Sequence, residues 1–167
     1  MYSFFSCRLN CHVEKSQLGP ASGNLRFQMR GLDIKNIEPG LFGLGRSDPF
    51  FEISKKDFDY SISYVKWNVV YRSEFIKDHL NPLWKPTYID IEKLCYGDLD
   101  RELKITVLDH DNNGKHDVIG EYLTTVAALQ DLVSYKGNAD REKAVKIGDE
   151  ITNKTYGFLC ILAANIE

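Results

Sequence analysis

Leu103-Lys104-Ile105-Thr106-Val107-Leu108-Asp109-His110-Asp111-Asn112-Asn113-Gly114-Lys115-His116-Asp117-Val118-Ile119-Gly120-Glu121 is the stretch that decides the fold. Residues 103–107 alternate apolar and polar with period two, which is the pattern of a strand with one buried face. Residues 109–117 then carry three carboxylates and two side-chain amides. Carboxylates at this density repel one another, and a hard cation removes the repulsion. Calcium suits such donors, taking roughly six to eight oxygens at about 2.3–2.6 Å in a flexible shell.

An EF-hand loop started at Asp109 finds Asp111, Asn113 and Gly114 in place. It then puts His116 where an apolar residue belongs, and Gly120 where the closing glutamate belongs, with Glu121 one residue late. EF-hands also need helical flanks, and residues 103–107 read as strand. That reading is excluded.

A strand-flanked acidic loop has to borrow ligands from another part of the chain. Arg46-Ser47-Asp48-Pro49-Phe50-Phe51-Glu52-Ile53 is the best donor: Asp48 ends a Gly-rich loop, and Pro49 fixes φ as a new strand begins. Asp33, Asn36 and Glu38 lie earlier in the same loop.

Taken in order, Ser47-Asp48-Pro49-Phe50, Asn81-Pro82-Leu83-Trp84, Asp109-x-Asp111 and His116-Asp117-Val118-Ile119-Gly120-Glu121 resemble a C2 domain. The second C2 domain of copines is the nearer likeness. It rests on Trp67-Asn68-Val69-Val70-Tyr71-Arg72-Ser73-Glu74, Leu80-Asn81-Pro82-Leu83-Trp84-Lys85-Pro86 and Leu94-Cys95-Tyr96-Gly97-Asp98. The resemblance is strong over residues 25–125 and weak at both ends. It implies calcium held by Asp48, Asp109, Asp111 and Asp117, with Asp33 and Asn36 as further candidates. At Asn36 an amide stands where the family has a carboxylate.

Composition agrees with one module spanning residues 1–167. Hydrophobic residues make up 43% and charged residues 27%, values of a globular domain. No apolar run approaches the length of a membrane span, and the start lacks the basic and apolar regions of a secretory signal. Cys7 and Cys11, four apart in an expected strand, would stand about 13 Å apart, too far to bridge. A reducing, cytoplasmic setting is the expectation.

The alternation predicts an all-β chain. Cys7, Leu9, Cys11 and Val13 mark a first strand, and Leu25, Phe27 and Met29 a second. Further strands are expected near 50–54, 65–75, 87–91, 103–108, 118–125 and 158–166. Together these make an eight-stranded antiparallel β-sandwich whose order resembles the C2 type I topology. One short helix is expected at 126–132 with Thr125 as cap, and residues 136–154 read as a charged loop. Asn81 to Trp84, Gly120 and Glu121 read as architecture, and Tyr60, Tyr64, Trp67 and Tyr88 as sandwich packing. His110 and His116 read as solvated neighbours of the acidic loop.

Nothing in the sequence supports catalysis. There is no nucleophile elbow, no phosphate loop and no zinc spacing among the four histidines. No spaced aromatic and basic residues suggest a nucleic-acid platform. Charge points to a membrane instead. The formal net charge is −3, and two calcium ions would reverse its sign, most strongly at the loop tips. Lys77 and Lys115 would add to the attraction for anionic phospholipid. Leu41, Phe42 and Leu44 sit among glycines in the loop before Asp48, where they suggest insertion into the headgroup region. The expected function is a calcium-dependent phospholipid-binding module of a copine-like protein, recruited from the cytoplasm to the inner face of membranes. The alternative is a calcium-independent protein-interaction C2 domain with a degenerate metal site.

Overall fold

The computed structural model describes residues 19–37, 45–59, 63–133, 143–149 and 154–167. Eight antiparallel strands run in chain order: β1 (Asn24–Leu32), β2 (Pro49–Asp59), β3 (Tyr64–Arg72), β4 (Thr87–Asp90), β5 (Leu103–Asp109), β6 (Asp117–Thr124), β7 (Val145–Asp149) and β8 (Lys154–Ile166). Their spatial order is β3-β2-β5-β6-β7-β8-β1-β4. The ladder narrows between β6 and β7 to one pair, Glu121 with Gly148. There the sheet turns back, so β3-β2-β5-β6 faces β7-β8-β1-β4.

Alternation drives this arrangement. In β1, Leu25, Phe27 and Met29 are fully buried between Arg26, Gln28 and Arg30. Their counterparts on the opposite layer are Phe51 and Ile53 of β2 and Ile105 and Val107 of β5, all within the same core cluster. Phe27 meets Phe51 edge to face across the layers, with centroids 6.0 Å apart. Each such side chain contributes roughly 1.5–3 kcal/mol when fully buried. Trp84 closes one margin of the core at 0% exposure, its indole N–H donating to the Pro49 carbonyl at 3.2 Å.

Helix α2 (Val126–Asp131) forms where expected, and the Thr125 hydroxyl accepts the Ala128 N–H as its cap. Three features differ from the sequence reading. β7 lies inside the segment read as loop; its core anchor is Ile147, 1% exposed. A five-residue helix, α1 (Ile91–Cys95), follows β4, capped by Asp90 and ended by Tyr96 in the left-handed region. Tyr64 and Tyr88, expected to pack, are 62% and 60% exposed because each lies on an outermost strand. The strand expected at 7–13, on which the type I order depended, lies outside the described residues, as does Tyr60. Eight strands are reached without it: β8 fills the edge of β1 opposite β4.

Candidate functional site

Three strand ends meet at one end of the sandwich. Asp109, the last residue of β5, pairs across one ladder with Pro49, the first residue of β2. Across the other ladder it pairs with Asp117, the first residue of β6. Directly opposed antiparallel residues have α-carbons about 4.5–5.5 Å apart. Asp48, Asp109 and Asp117 are therefore brought to neighbouring strand ends, although 61 residues of chain separate the first two.

Asp109 is the centre of this end. It is 4% exposed. Its Oδ1 accepts the Asp48 backbone N–H at 2.6 Å, and the Asp48 carbonyl accepts the His110 N–H at 3.1 Å. Its Oδ2 is buried with no hydrogen-bond partner. An acceptor left so costs free energy unless something satisfies it.

Asp48 and Asp111 already hold protein donors. Asp48 Oδ1 accepts the Asp78 N–H at 2.7 Å, with Asp78 itself in the left-handed region at φ 51°. Asp111 accepts twice from Asn113, from its backbone N–H and its amide, both at 2.9 Å. Asn113 Oδ1 in turn accepts the Lys115 N–H at 2.7 Å, and Gly114 turns the chain at φ 79°. These short-range side-chain bonds fold the loop as a stack of Asx-type turns. Asp117 is exposed.

Asp33 is exposed at φ 51°, and its N–H donates to Asn81 Oδ1 at 2.9 Å. Asn36 turns onto its own loop: its amide donates to the Gly45 carbonyl at 2.7 Å, and its Oδ1 accepts the hydroxyl of buried Ser47 at 3.4 Å. The structure thus joins Asp48 directly to Asp109, while the Asp33 N–H and the Asn36 side chain bond elsewhere. Among the described residues, no group of three or more His, Cys, Asp or Glu side chains forms a ready cation cage. Lys77 and Lys115 are exposed. Leu41, Phe42 and Leu44 lie outside the described residues.

The two histidines are half-buried and make ring contacts beyond those of a solvated neighbour. His110 stacks on Phe75 at 4.1 Å with an interplanar angle of 15°, and His116 meets Phe50 edge to face at 4.9 Å. His116 Nδ1 also accepts the Asp111 N–H at 3.1 Å. These rings line a depression of about 200 Å³ together with Arg72, Ser73 and Glu74. Strand periodicity cannot foretell such contacts, because both histidines sit in a loop with no period of its own.

The Asn81-Pro82-Leu83-Trp84 motif proves structural, as expected. It fastens the site from behind: Asn81 holds Asp33, Pro82 accepts the Gly31 N–H at 2.9 Å, and Trp84 holds Pro49.

The family model of the C2 domain matches residues 26–140, more than half of the sequence. This chain belongs to the C2 domain family. Among solved structures, the C2B domain of BON1 superposes with a TM-score of 0.68 at 20% identity, covering 93% of this chain and 99% of that one. A C2 domain of plant extended synaptotagmin 1, the one lettered A, gives a TM-score of 0.53 at 19% identity, covering 83% and 90%. At such identities the likeness speaks to the fold. C2 domains are typically non-catalytic modules that commonly bind phospholipid membranes and often bind calcium. No helix among the described residues is long and apolar enough to cross a membrane.

Calcium fits part of this donor set. The donors are hard oxygens at a loop mouth, and Asp109 Oδ2 is a buried acceptor in need of a partner. Asp48 adjoins it, and Asp111, although each of its oxygens accepts one N–H from Asn113, keeps a lone pair on each.

Proposed function

We propose that this C2 domain, as a single unit over residues 1–167, binds calcium through Asp48, Asp109, Asp111 and Asp117 and thereby docks on anionic phospholipid. The buried, unpartnered Oδ2 of Asp109 carries the reading. An uncompensated acceptor at the meeting point of three strand ends is costly in a module of purely structural purpose. Its neighbours Asp48 and Asp117 bring further negative charge to that end, which calcium would neutralise.

Asp33 and Asn36 serve in this reading as loop supports or secondary ligands. Leu41, Phe42 and Leu44 insert into the headgroup layer, with Lys77 and Lys115 drawn to lipid phosphate. The motif set at 67–74, 80–86 and 94–98 supports a copine-like parent protein, recruited from the cytoplasm to the inner membrane face as calcium rises.

A second reading has its own support. Asp48 and Asp111 already satisfy backbone donors, as they would in a calcium-independent protein-interaction domain. Calcium titration by calorimetry, run beside a melting curve, separates the two. Heat of binding with a rise in melting temperature supports the calcium site. At a hundredfold excess over Kd, bound ligand stabilises by about 2.7 kcal/mol, a shift on the order of 5–10 °C for a domain of this size. A flat titration with an unmoved melting curve in millimolar calcium overturns it.

A further inference from the structure

Two arginines on the flank of the sandwich take no part in that site. Because Leu25, Phe27 and Met29 point into the core, Arg26, Gln28 and Arg30 occupy the outer face of β1. Tyr88 of β4 and Asn165 of β8 stand beside Arg26. Leu83 bridges to Arg30. Tyr88 and Leu83 are 60% and 54% exposed, so an aromatic and an aliphatic residue stand open to solvent at the register positions beside the two arginines.

Neither arginine has an acidic partner among the described residues. Four other cations do: Lys56 with Glu102, Arg72 with Glu52, Arg101 with Asp57, and Lys104 with Glu121. Three carboxylates on neighbouring segments hold other donors. Asp90 caps α1, Glu167 accepts the Asn165 amide, and Glu74 accepts the Lys85 N–H. Arg30 Nε is buried without a hydrogen-bond partner. A desolvated guanidinium nitrogen with no acceptor is costly. Nε itself is enclosed, and an incoming oxyanion meets the terminal Nη pair, where it supplies a fork-matched counter-charge. In a chain of net charge −3 this is a local positive site against the overall balance.

We propose that this face docks an extended acidic segment of a partner protein, with carboxylates at positions i and i+4 meeting Arg26 and Arg30 and an apolar side chain resting on Leu83 and Tyr88. Same-face positions along a strand recur about every 6.7 Å, so Arg26 and Arg30 stand about 13 Å apart, the spacing of i and i+4 in a second extended chain. Among the described residues β4 is the outermost strand on this side, so the β1 face lies one strand in from the margin of the sheet. A bilayer fits less well. Both arginines are half-buried on a strand face rather than at a loop tip, so a narrow extended segment reaches their terminal Nη groups more readily than a flat headgroup surface does.

The probe is a labelled synthetic peptide of Thr and Val with glutamates at i and i+4 and a leucine between them. Its binding is followed by fluorescence anisotropy in EGTA, so that failure of the calcium site leaves the readout untouched. Binding is expected to weaken about tenfold or more when the glutamates become glutamines, when they are moved to i and i+2, and in Arg26→Gln/Arg30→Gln protein. Arg26→Lys/Arg30→Lys keeps the charge but loses the fork, and is expected to weaken binding at an unchanged melting temperature. The proposal is overturned if the glutamate peptide does not bind, or if the glutamine peptide binds equally well. It is also overturned if the arginine variants lose calcium-free binding to phosphatidylserine vesicles while keeping the peptide.

Discussion

One oxygen of Asp109 holds the Asp48 N–H at 2.6 Å while its other oxygen lies buried and unpartnered. A single carboxylate thus both locks two loops together and keeps an acceptor in reserve. The two roles separate on substitution, because an asparagine at this position retains an oxygen for the Asp48 N–H and replaces the reserve oxygen with an amide.

Asp109→Asn with Asp111→Asn is expected to abolish calcium binding and leave the β circular dichroism intact. Removing negative charge from the strand ends also relieves repulsion in the calcium-free state, so its melting temperature is expected to hold or rise. Collapse of the β signal would show instead that these residues carry the fold.

Trp84→Phe tests the brace behind the site. The change removes the indole donor from the buried Pro49 carbonyl and leaves a small void, costing about 1–3 kcal/mol. Because Pro49 adjoins Asp48, calcium affinity is expected to fall along with stability. A variant that melts earlier with full calcium affinity would uncouple the brace from the site.

Leu41→Ser with Phe42→Ser separates insertion from electrostatic docking. Partial burial of two such side chains in the headgroup layer is worth enough to weaken liposome co-sedimentation by about ten- to a hundredfold. Lipid-free calcium affinity is expected to stay put, since neither side chain is a ligand. Loss of thermal stability without a lipid defect would mean that the pair packs on the sandwich.

Cys95 gives a pH test. Its burial pushes the thiol pKa up, and the Asp98 charge adds to the rise against a lowering hydrogen bond from Gly97. A pKa raised in the folded state favours folding below the ordinary thiol value and loses that contribution as pH climbs through the folded value. Denaturant midpoints are therefore expected to fall on moving from neutral to strongly alkaline pH, less so in Cys95→Ala than in the native chain. At neutral pH Cys95 is expected to resist alkylation until the protein unfolds.

Much of this was legible in the sequence, and the exceptions have physical causes. Period-two alternation marked β1, which buries one face, and the start of β5, although Thr106 and Leu108 on the second face of β5 are buried as well. β7 escaped because few of its side chains anchor it, Ile147 above all, in a charged stretch. α1 carried its signals, a capping Asp90 and apolar Ile91, Leu94 and Cys95 on one side, but one turn and a half is too short for a period to register. Asp48 and Asp109 could be paired from their motifs. That Asp111 folds onto Asn113 and Asn36 onto Gly45 is local turn chemistry, which competes with metal ligation for the same oxygens.

The distances along the chain at this end bear on how the protein reaches its fold. Asp48 and Asp109 are 61 residues apart, Asp33 and Asn81 are 48 apart, and Trp84 and Pro49 are 35 apart. Contacts of such high order close only after the intervening chain has been organised. A cation held here therefore has nothing to grip in the early collapsed chain. On the proposed calcium reading, the ion is expected to lengthen the lifetime of the folded domain by slowing unfolding and to leave the refolding rate nearly unchanged.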